Sequence, residues 1–169
     1  MQNITGFYLY AVVLVEGRFV MDNFFSLIKS PKTINSERDV RMMAPLVLAY
    51  IGDAIFEIYV RNHIIATSNT SVNIMHKRAT KYVKAKSQAI IVHALENQLE
   101  EDEWQVVKKG RNQKTATSPK NAELIDYKYA TGFEALLGYL FYLGKHDRLI
   151  EILEKSVVII EKELSIKGN

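Results

Sequence analysis

The stretch "LAYIGDAIFEIYV", residues 48–60, wraps an apolar run around two acids, Asp53 and Glu57. At the 3.6-residue period of an α-helix, its apolar positions go nearly all the way round, the pattern of a helix enclosed by protein. What interrupts the run is a single stripe of Ala49, Asp53, Glu57 and Arg61. Glu57 and Arg61 stand in the favourable order for an i,i+4 ion pair. Asp53 has no comparable local partner, and a carboxylate buried among Leu, Ile, Phe and Tyr is costly unless something compensates it. Gly52 beside it removes a side chain, so another group can approach the backbone closely.

A second apolar segment repeats the pattern. In "YATGFEALLGYLFYLG", residues 129–144, Glu134 is the one acid or base apart from the tyrosines, and Gly132 and Gly138 thin out the surface beside it. Two central helices thus each carry a carboxylate next to glycine. Such carboxylates can pair with basic side chains, share a proton, or bind a hard cation through oxygen. Mg²⁺ suits the last solution, because it takes one or two carboxylates and keeps several waters.

Helical periodicity runs through the rest of the chain, and Pro31, Pro45 and Pro119 each suit a helix start or a loop. Ser36 predicts an N-cap, with Asp39 three residues on. Pro45 opens a helix expected to reach about Ala66. The polar segment "SNTSVN", 68–73, reads as a loop, and a helix or pair of helices comes next, to about Gln98. A further helix is expected over roughly 100–109, stopping before Gly110. The segment "GRNQKTATSPKN", 110–121, has turn chemistry. Long helices over 120–143 and 146–164 complete the expected all-α single domain, with Gly144 between them.

The 169 residues are 48 % hydrophobic, enough for a core and against disorder. The absence of Cys excludes disulfides and cysteine-held zinc and agrees with a cytoplasmic setting. Net charge is only +3, but the charges are segregated. No acid lies between Thr67 and Leu95, where Lys77, Arg78, Lys81, Lys84 and Lys86 fall. None lies between Trp104 and Lys120, where Lys108, Lys109, Arg111, Lys114 and Lys120 fall. The acids gather elsewhere, as in "EEDE", 100–103. Segregation of this kind suits a polyanionic partner, and it also suits solvated helix faces. Residues 1–20 differ in character from the remainder of the chain and read as an extension outside the functional domain, 21–169. Their apolar stretch "FYLYAVVLV" is too short to span a bilayer and lacks a preceding basic residue, so no membrane partner is expected.

At the two carboxylate motifs the sequence resembles the ribonuclease III catalytic domain, and more closely the Mini-ribonuclease III form that lacks a double-stranded-RNA-binding domain. The family signature Asn-Glu-Arg-Leu-Glu-Phe-Leu-Gly-Asp corresponds to "PLVLAYIGD", 45–53, which places Asp53 at the catalytic aspartate. The second signature, Asp-Thr-Val-Glu-Ala-Leu-Ile-Gly, corresponds to "TGFEALLG", 131–138, with Glu134 at the catalytic glutamate. The likeness runs over roughly 40–165 and includes the 110–121 loop. Two further family acids fall on Ala49 and Thr131, which cannot be ionised ligands.

The resemblance implies a helical, dimeric, Mg²⁺-dependent endoribonuclease in which Mn²⁺ substitutes. It implies hydrolysis of double-stranded RNA to 5′ phosphate and 3′ hydroxyl ends. The metal shell would rest on Asp53, Glu134, waters and RNA phosphate, and the 23S ribosomal RNA precursor would be the substrate. RNA contacts are expected from Arg111, Asn112, Lys114 and Lys120 on the loop, and from Lys77, Lys81 and Lys84 on one helical face. His76 and His93 are expected to be structural or surface residues. Loss of the acids at positions 49 and 131 leaves a second reading, a non-catalytic RNA-binding or scaffold dimer of the same fold.

Overall fold

A computed structural model describes residue 34, residues 36–114 and residues 122–167. Its helices, numbered in chain order, are α1 (Glu37–Met42), α2 (Pro45–Thr67), α3 (Val72–Val83), α4 (Ala85–Leu95), α5 (Glu101–Arg111), α6 (Ala122–Tyr142) and α7 (His146–Lys167), with a short 3₁₀ turn at Glu96–Gln98. No strand occurs among the described residues, as the all-α expectation requires. Residues Ser36–Asn169 form one compact unit. The expected extension, 1–20, and the boundary at residue 21 lie outside the described residues.

Local chemistry accounts for the helix ends. The Ser36 hydroxyl accepts from the Asp39 amide at 3.3 Å and caps α1. Pro45 takes the first turn of α2, where a missing N–H costs nothing. Glu100 and Glu103 form a reciprocal capping box at the start of α5, with the Glu100 amide donating to Glu103 Oε2 at 2.9 Å. Gly144 adopts φ 68°, a left-handed conformation that favours glycine. It lets the Lys145 amide reach back to the Leu140 carbonyl at 3.0 Å and closes α6.

The core is organised around α6. Phe133, Ala135, Leu136, Leu137, Tyr139 and Leu140 on it are all at most 1 % exposed. Its main neighbours are α2, α4 and α5. Phe56 of α2 meets Phe133 edge-on, ring centroids 5.1 Å apart. Two glycine crossings bring backbones together. A Cβ on Gly52 would collide with the Glu134 carbonyl oxygen, and one on Gly138 with the Leu48 carbonyl oxygen, so α2 and α6 are in backbone contact. A Cβ on Gly110 would lie 2.8 Å from the Gly132 Cα, and one on Gly132 would lie 2.6 Å from the Val107 carbonyl oxygen, so α5 also crosses α6 with little room for a side chain.

The second crossing corrects the expectation that a helix stops before Gly110. The glycine lies inside α5 because it removes bulk at a helix contact. Within "EEDE", Glu103 is fully buried, and Arg148 of α7 donates to it from Nε and Nη2, both at 2.9 Å. Arg148 also donates to the Gln98 carbonyl at 2.7 Å, which ties α5, the 3₁₀ turn and α7 together. Among the described residues, no helix is long and apolar enough to cross a membrane.

Candidate active site

Asp53 lies midway along α2 and Glu134 near the middle of α6, at the crossing made by Gly52 and Gly138. Because the Glu134 backbone rests where a Gly52 side chain would be, the acid next to Gly52 in the chain is brought beside Glu134. Their charges interact directly. Burial first, and the Asp53 charge second, push Glu134 up from 4.5 to about 7, while the Gln88 amide works in the opposite direction. Asp53 is held above its ordinary value by partial burial and by the neighbouring Glu57 charge. Of the three solutions open to such carboxylates, a basic partner is not found among the described residues. No ion pair among the described residues involves Asp53 or Glu134. A shared proton and a cation are the two other solutions.

The expectation that both acids are enclosed needs correcting. Asp53 is exposed in the single chain, while Glu134 is mostly covered. The reason is the outward side of α2. Leu46, Val47 and Tyr50 are 45 %, 50 % and 84 % exposed, so the apolar character that looked like burial on every side includes a bare stripe. Asp53 sits at its border. Glu57, as expected, accepts from Arg61 Nε at 2.8 Å.

Ala49 and Thr131 are both buried, and Thr131 Oγ1 donates to the Tyr127 carbonyl of its own helix at 3.1 Å. Neither supplies a charged oxygen. Among the described residues no group of three or more His, Asp or Glu gathers as a metal cage. The donor set is therefore two carboxylates that repel one another, which fits a hard, partly hydrated divalent cation better than zinc.

The basic residues surround this pair unevenly. Lys77 and Lys81 are exposed on α3. Lys84 is exposed too, but it is the extended residue (φ −63°, ψ 148°) that ends α3 and precedes α4, so it leaves the helical face expected for it. Arg111 closes α5, and Asn112 and Lys114 come after it on the exposed chain, while Lys120 lies outside the described residues. Arg111 is already engaged. Its Nη1 donates to the Tyr129 hydroxyl at 3.2 Å, and its guanidinium lies 5.4 Å from that ring's centroid. His93 packs against the same Tyr129 ring, centroids 4.4 Å apart, while His76 stays on the surface.

Sequence reasoning missed Gln88 and Tyr129. Gln88 is 1 % exposed, its Nε2 donates to the Val83 carbonyl at 2.9 Å, and its effect on the Glu134 carboxyl is to favour the charged form. The signal available was faint, because Lys86 and Ser87 beside it make a polar residue in this first turn ordinary.

Known proteins resemble the chain over this region. The family described as Ribonuclease III domain matches residues 46–145, which span both carboxylates. A Mini-ribonuclease 3 from Thermoanaerobacter sp. is 50 % identical over 127 residues, covering 75 % of this chain and 89 % of that protein. One from Brevibacillus brevis is 48 % identical over 126 residues, covering 75 % and 94 %. A solved crystal structure of a Fusobacterium nucleatum protein superposes with a TM-score of 0.64 at 30 % identity, covering 74 % of this chain and 98 % of that one. The chain belongs to the ribonuclease III family, in its Mini-ribonuclease 3 branch.

Proposed function

We propose that the chain is a divalent-metal-dependent endoribonuclease that cuts double-stranded RNA, with Asp53 and Glu134 as its catalytic, metal-holding pair. The observation that carries this reading is the pair itself: two mutually repelling carboxylates, set at a backbone crossing and left without a basic partner among the described residues. A helix crossing this close does not need acids, and leaving them there costs stability unless a cation is taken up. Mg²⁺ fits the donor set, and Mn²⁺ offers the same oxygen preference. When bound, such a cation polarises a phosphoryl oxygen and makes water a better nucleophile at neutral pH.

The chain's own residues supply the remainder. Asp53, open to solvent, faces the side from which a phosphodiester can arrive. Glu134, more enclosed, is carried by α6 at its crossing with α2. Lys77, Lys81, Lys84, Arg111, Asn112, Lys114 and Lys120 are the proposed RNA contacts. A-form RNA is recognised mostly through its phosphates and 2′-hydroxyls, which suits a set of lysines and one Tyr129-braced arginine. Kinship suggests the 23S ribosomal RNA precursor as substrate, 5′ phosphate and 3′ hydroxyl products, and a cytoplasmic setting.

The same reading makes the active form a homodimer, with the bare stripe of α2 as the seam. Met42, 78 % exposed at the end of α1, adds a further bare apolar side chain shortly before α2. Burying the stripe against a second copy would enclose Asp53 further and place one site in each subunit. A sedimentation mass near that of the 19.3 kDa monomer at micromolar concentration would count against the dimer.

A non-catalytic scaffold of this fold would keep the apolar frame and the basic face but has no use for the coupled acids. Incubation with a long RNA duplex, a single strand and a DNA duplex decides between the two. Cleavage of the RNA duplex alone, abolished by chelator, is expected. Undiminished cutting in excess EDTA, or none in Mg²⁺ or Mn²⁺, would overturn the reading.

A further inference from the structure

Arg111, in the last turn of α5, is held differently from Arg41, Arg61 and Arg148. Arg41 pairs with Asp102 and Arg61 with Glu57. Arg148 donates twice to Glu103, once to Glu151 and once to the Gln98 carbonyl. Arg111 enters no ion pair among the described residues. Its bonds go to neutral oxygens: Nε donates to Asn112 Oδ1 at 3.3 Å, and Nη1 donates to the Tyr129 hydroxyl at 3.2 Å. A guanidinium carries five N–H donors, and neither of these bonds uses Nη2. Among the described residues, the charge is thus fixed in place without being neutralised.

The tyrosine is itself fixed. It lies on α6 one turn before Gly132, and the contact between Gly110 and Gly132 brings the end of α5 onto this part of α6. The His93 ring of α4 packs against the Tyr129 ring, centroids 4.4 Å apart, and the Arg111 guanidinium lies 5.4 Å from the centroid of the same ring. Side chains from α4 and α5 therefore converge on one phenol of α6. An arginine in a last helical turn suits the helix dipole, but the dipole needs no tyrosine. A contact that only pinned α5 to α6 would be served equally by an acid, as Glu103 serves Arg148, and an acid would cancel the charge.

We infer that Tyr129 is a positioning residue for duplex RNA: its hydroxyl holds the Arg111 guanidinium so that the remaining N–H groups meet a backbone phosphate. A long side chain ordered in advance loses little further freedom when the phosphate arrives, and the planar guanidinium can grip it with two parallel bonds. The inference rests on the reading of Arg111 as an RNA contact. It adds an uncharged residue of α6, the helix that carries Glu134.

The test is a double-mutant cycle on binding of duplex RNA, in EDTA to keep the duplex intact, with Tyr129→Phe, Arg111→Gln and the two combined. Tyr129→Phe keeps the ring against which His93 packs and removes only the hydroxyl. It should weaken binding about three- to tenfold, the range expected when one long side chain must be ordered on binding. In the Arg111→Gln background the same change should have no effect, because the hydroxyl has nothing left to hold. In ¹⁵N spectra of the protein without RNA, the Arg111 Nε–H should become more mobile in Tyr129→Phe, seen as a lower heteronuclear NOE.

Wild-type binding by Tyr129→Phe overturns the proposal, as does an Arg111 signal that the variant leaves unchanged. An equal loss in both backgrounds also overturns it, since the hydroxyl would then touch RNA itself or support the fold. Arg111→Gln binding as tightly as wild type would instead overturn the assignment of Arg111 as an RNA contact, and with it any role for Tyr129 through that residue.

Discussion

Neutralising Glu134 should stabilise the metal-free protein, and only above a definite pH. The Glu134→Gln side chain has nearly the shape of the protonated acid and never ionises. In the wild type, burial and the Asp53 charge raise the Glu134 carboxyl from 4.5 to about 7. A raised acid binds its proton more tightly in the folded state than in the unfolded chain. Its favourable contribution is complete below the unfolded value of 4.5 and is lost as pH climbs through about 7. At about 1.4 kcal/mol per pH unit, the full span corresponds to about 3 kcal/mol. Residual solvent contact screens part of this, so about 2–3 kcal/mol is expected. For a chain of this length, that is a melting difference of about 5–10 °C. The assay is thermal melting of both proteins in EDTA at pH 4.5, 6 and 8. The two curves should nearly coincide at pH 4.5 and separate by pH 8, with the variant higher. Comparing the variant with the wild type at each pH cancels the other titrating groups. A gap independent of pH, or a variant that melts lower throughout, would refute the electrostatic account.

Three further outcomes rest on the packing and the charge pattern. Gly138→Ala drives a Cβ into the Leu48 carbonyl and must part α2 from α6, so stability should fall by about 1–3 kcal/mol or more and stabilisation by Mg²⁺ should shrink with it, both read from melting curves. Arg148→Met leaves Glu103, fully buried, without its cation, and calorimetry or denaturant titration should register a loss of about 3–5 kcal/mol. Replacing Arg111, Lys114 and Lys120 with Gln should flatten the log–log salt dependence of duplex RNA binding by about 2–3, near one for each phosphate no longer neutralised; an unchanged slope would place this segment away from the RNA.

The features legible in the sequence were those written as exceptions to a pattern. Asp53 and Glu134 interrupt apolar helices, and Gly52 and Gly138 mark the place where those helices touch. The helix ends at Ser36, Pro45 and Gly144 are announced by residues whose chemistry suits one position. Gly110 shows the limit, because a glycine that ends a helix and one that admits a neighbouring backbone look alike without the neighbour. Lys84 breaks α3 from α4 with neither proline nor glycine, so the kink that moves it off the lysine face has no local signature. Glu103 and Arg148 are far apart in sequence, and nothing in "EEDE" says which acid turns inward. Gln88 was hidden because a polar residue in a first helical turn is ordinary until its burial is known. The bare stripe on α2 is as apolar as the sides of that helix that face the core, and periodicity reports apolar faces without reporting whether core or a second chain covers them.

The central claim is that Asp53 and Glu134 together form a metal-dependent RNA-cutting site. The most direct measurement compares wild type, Asp53→Asn and Glu134→Gln for binding and cleavage of one long RNA duplex in Mg²⁺. Each variant should retain duplex binding and fold while cleavage drops by orders of magnitude, since the cation loses one of its two protein ligands. Cleavage at near wild-type rate by either variant would contradict the account.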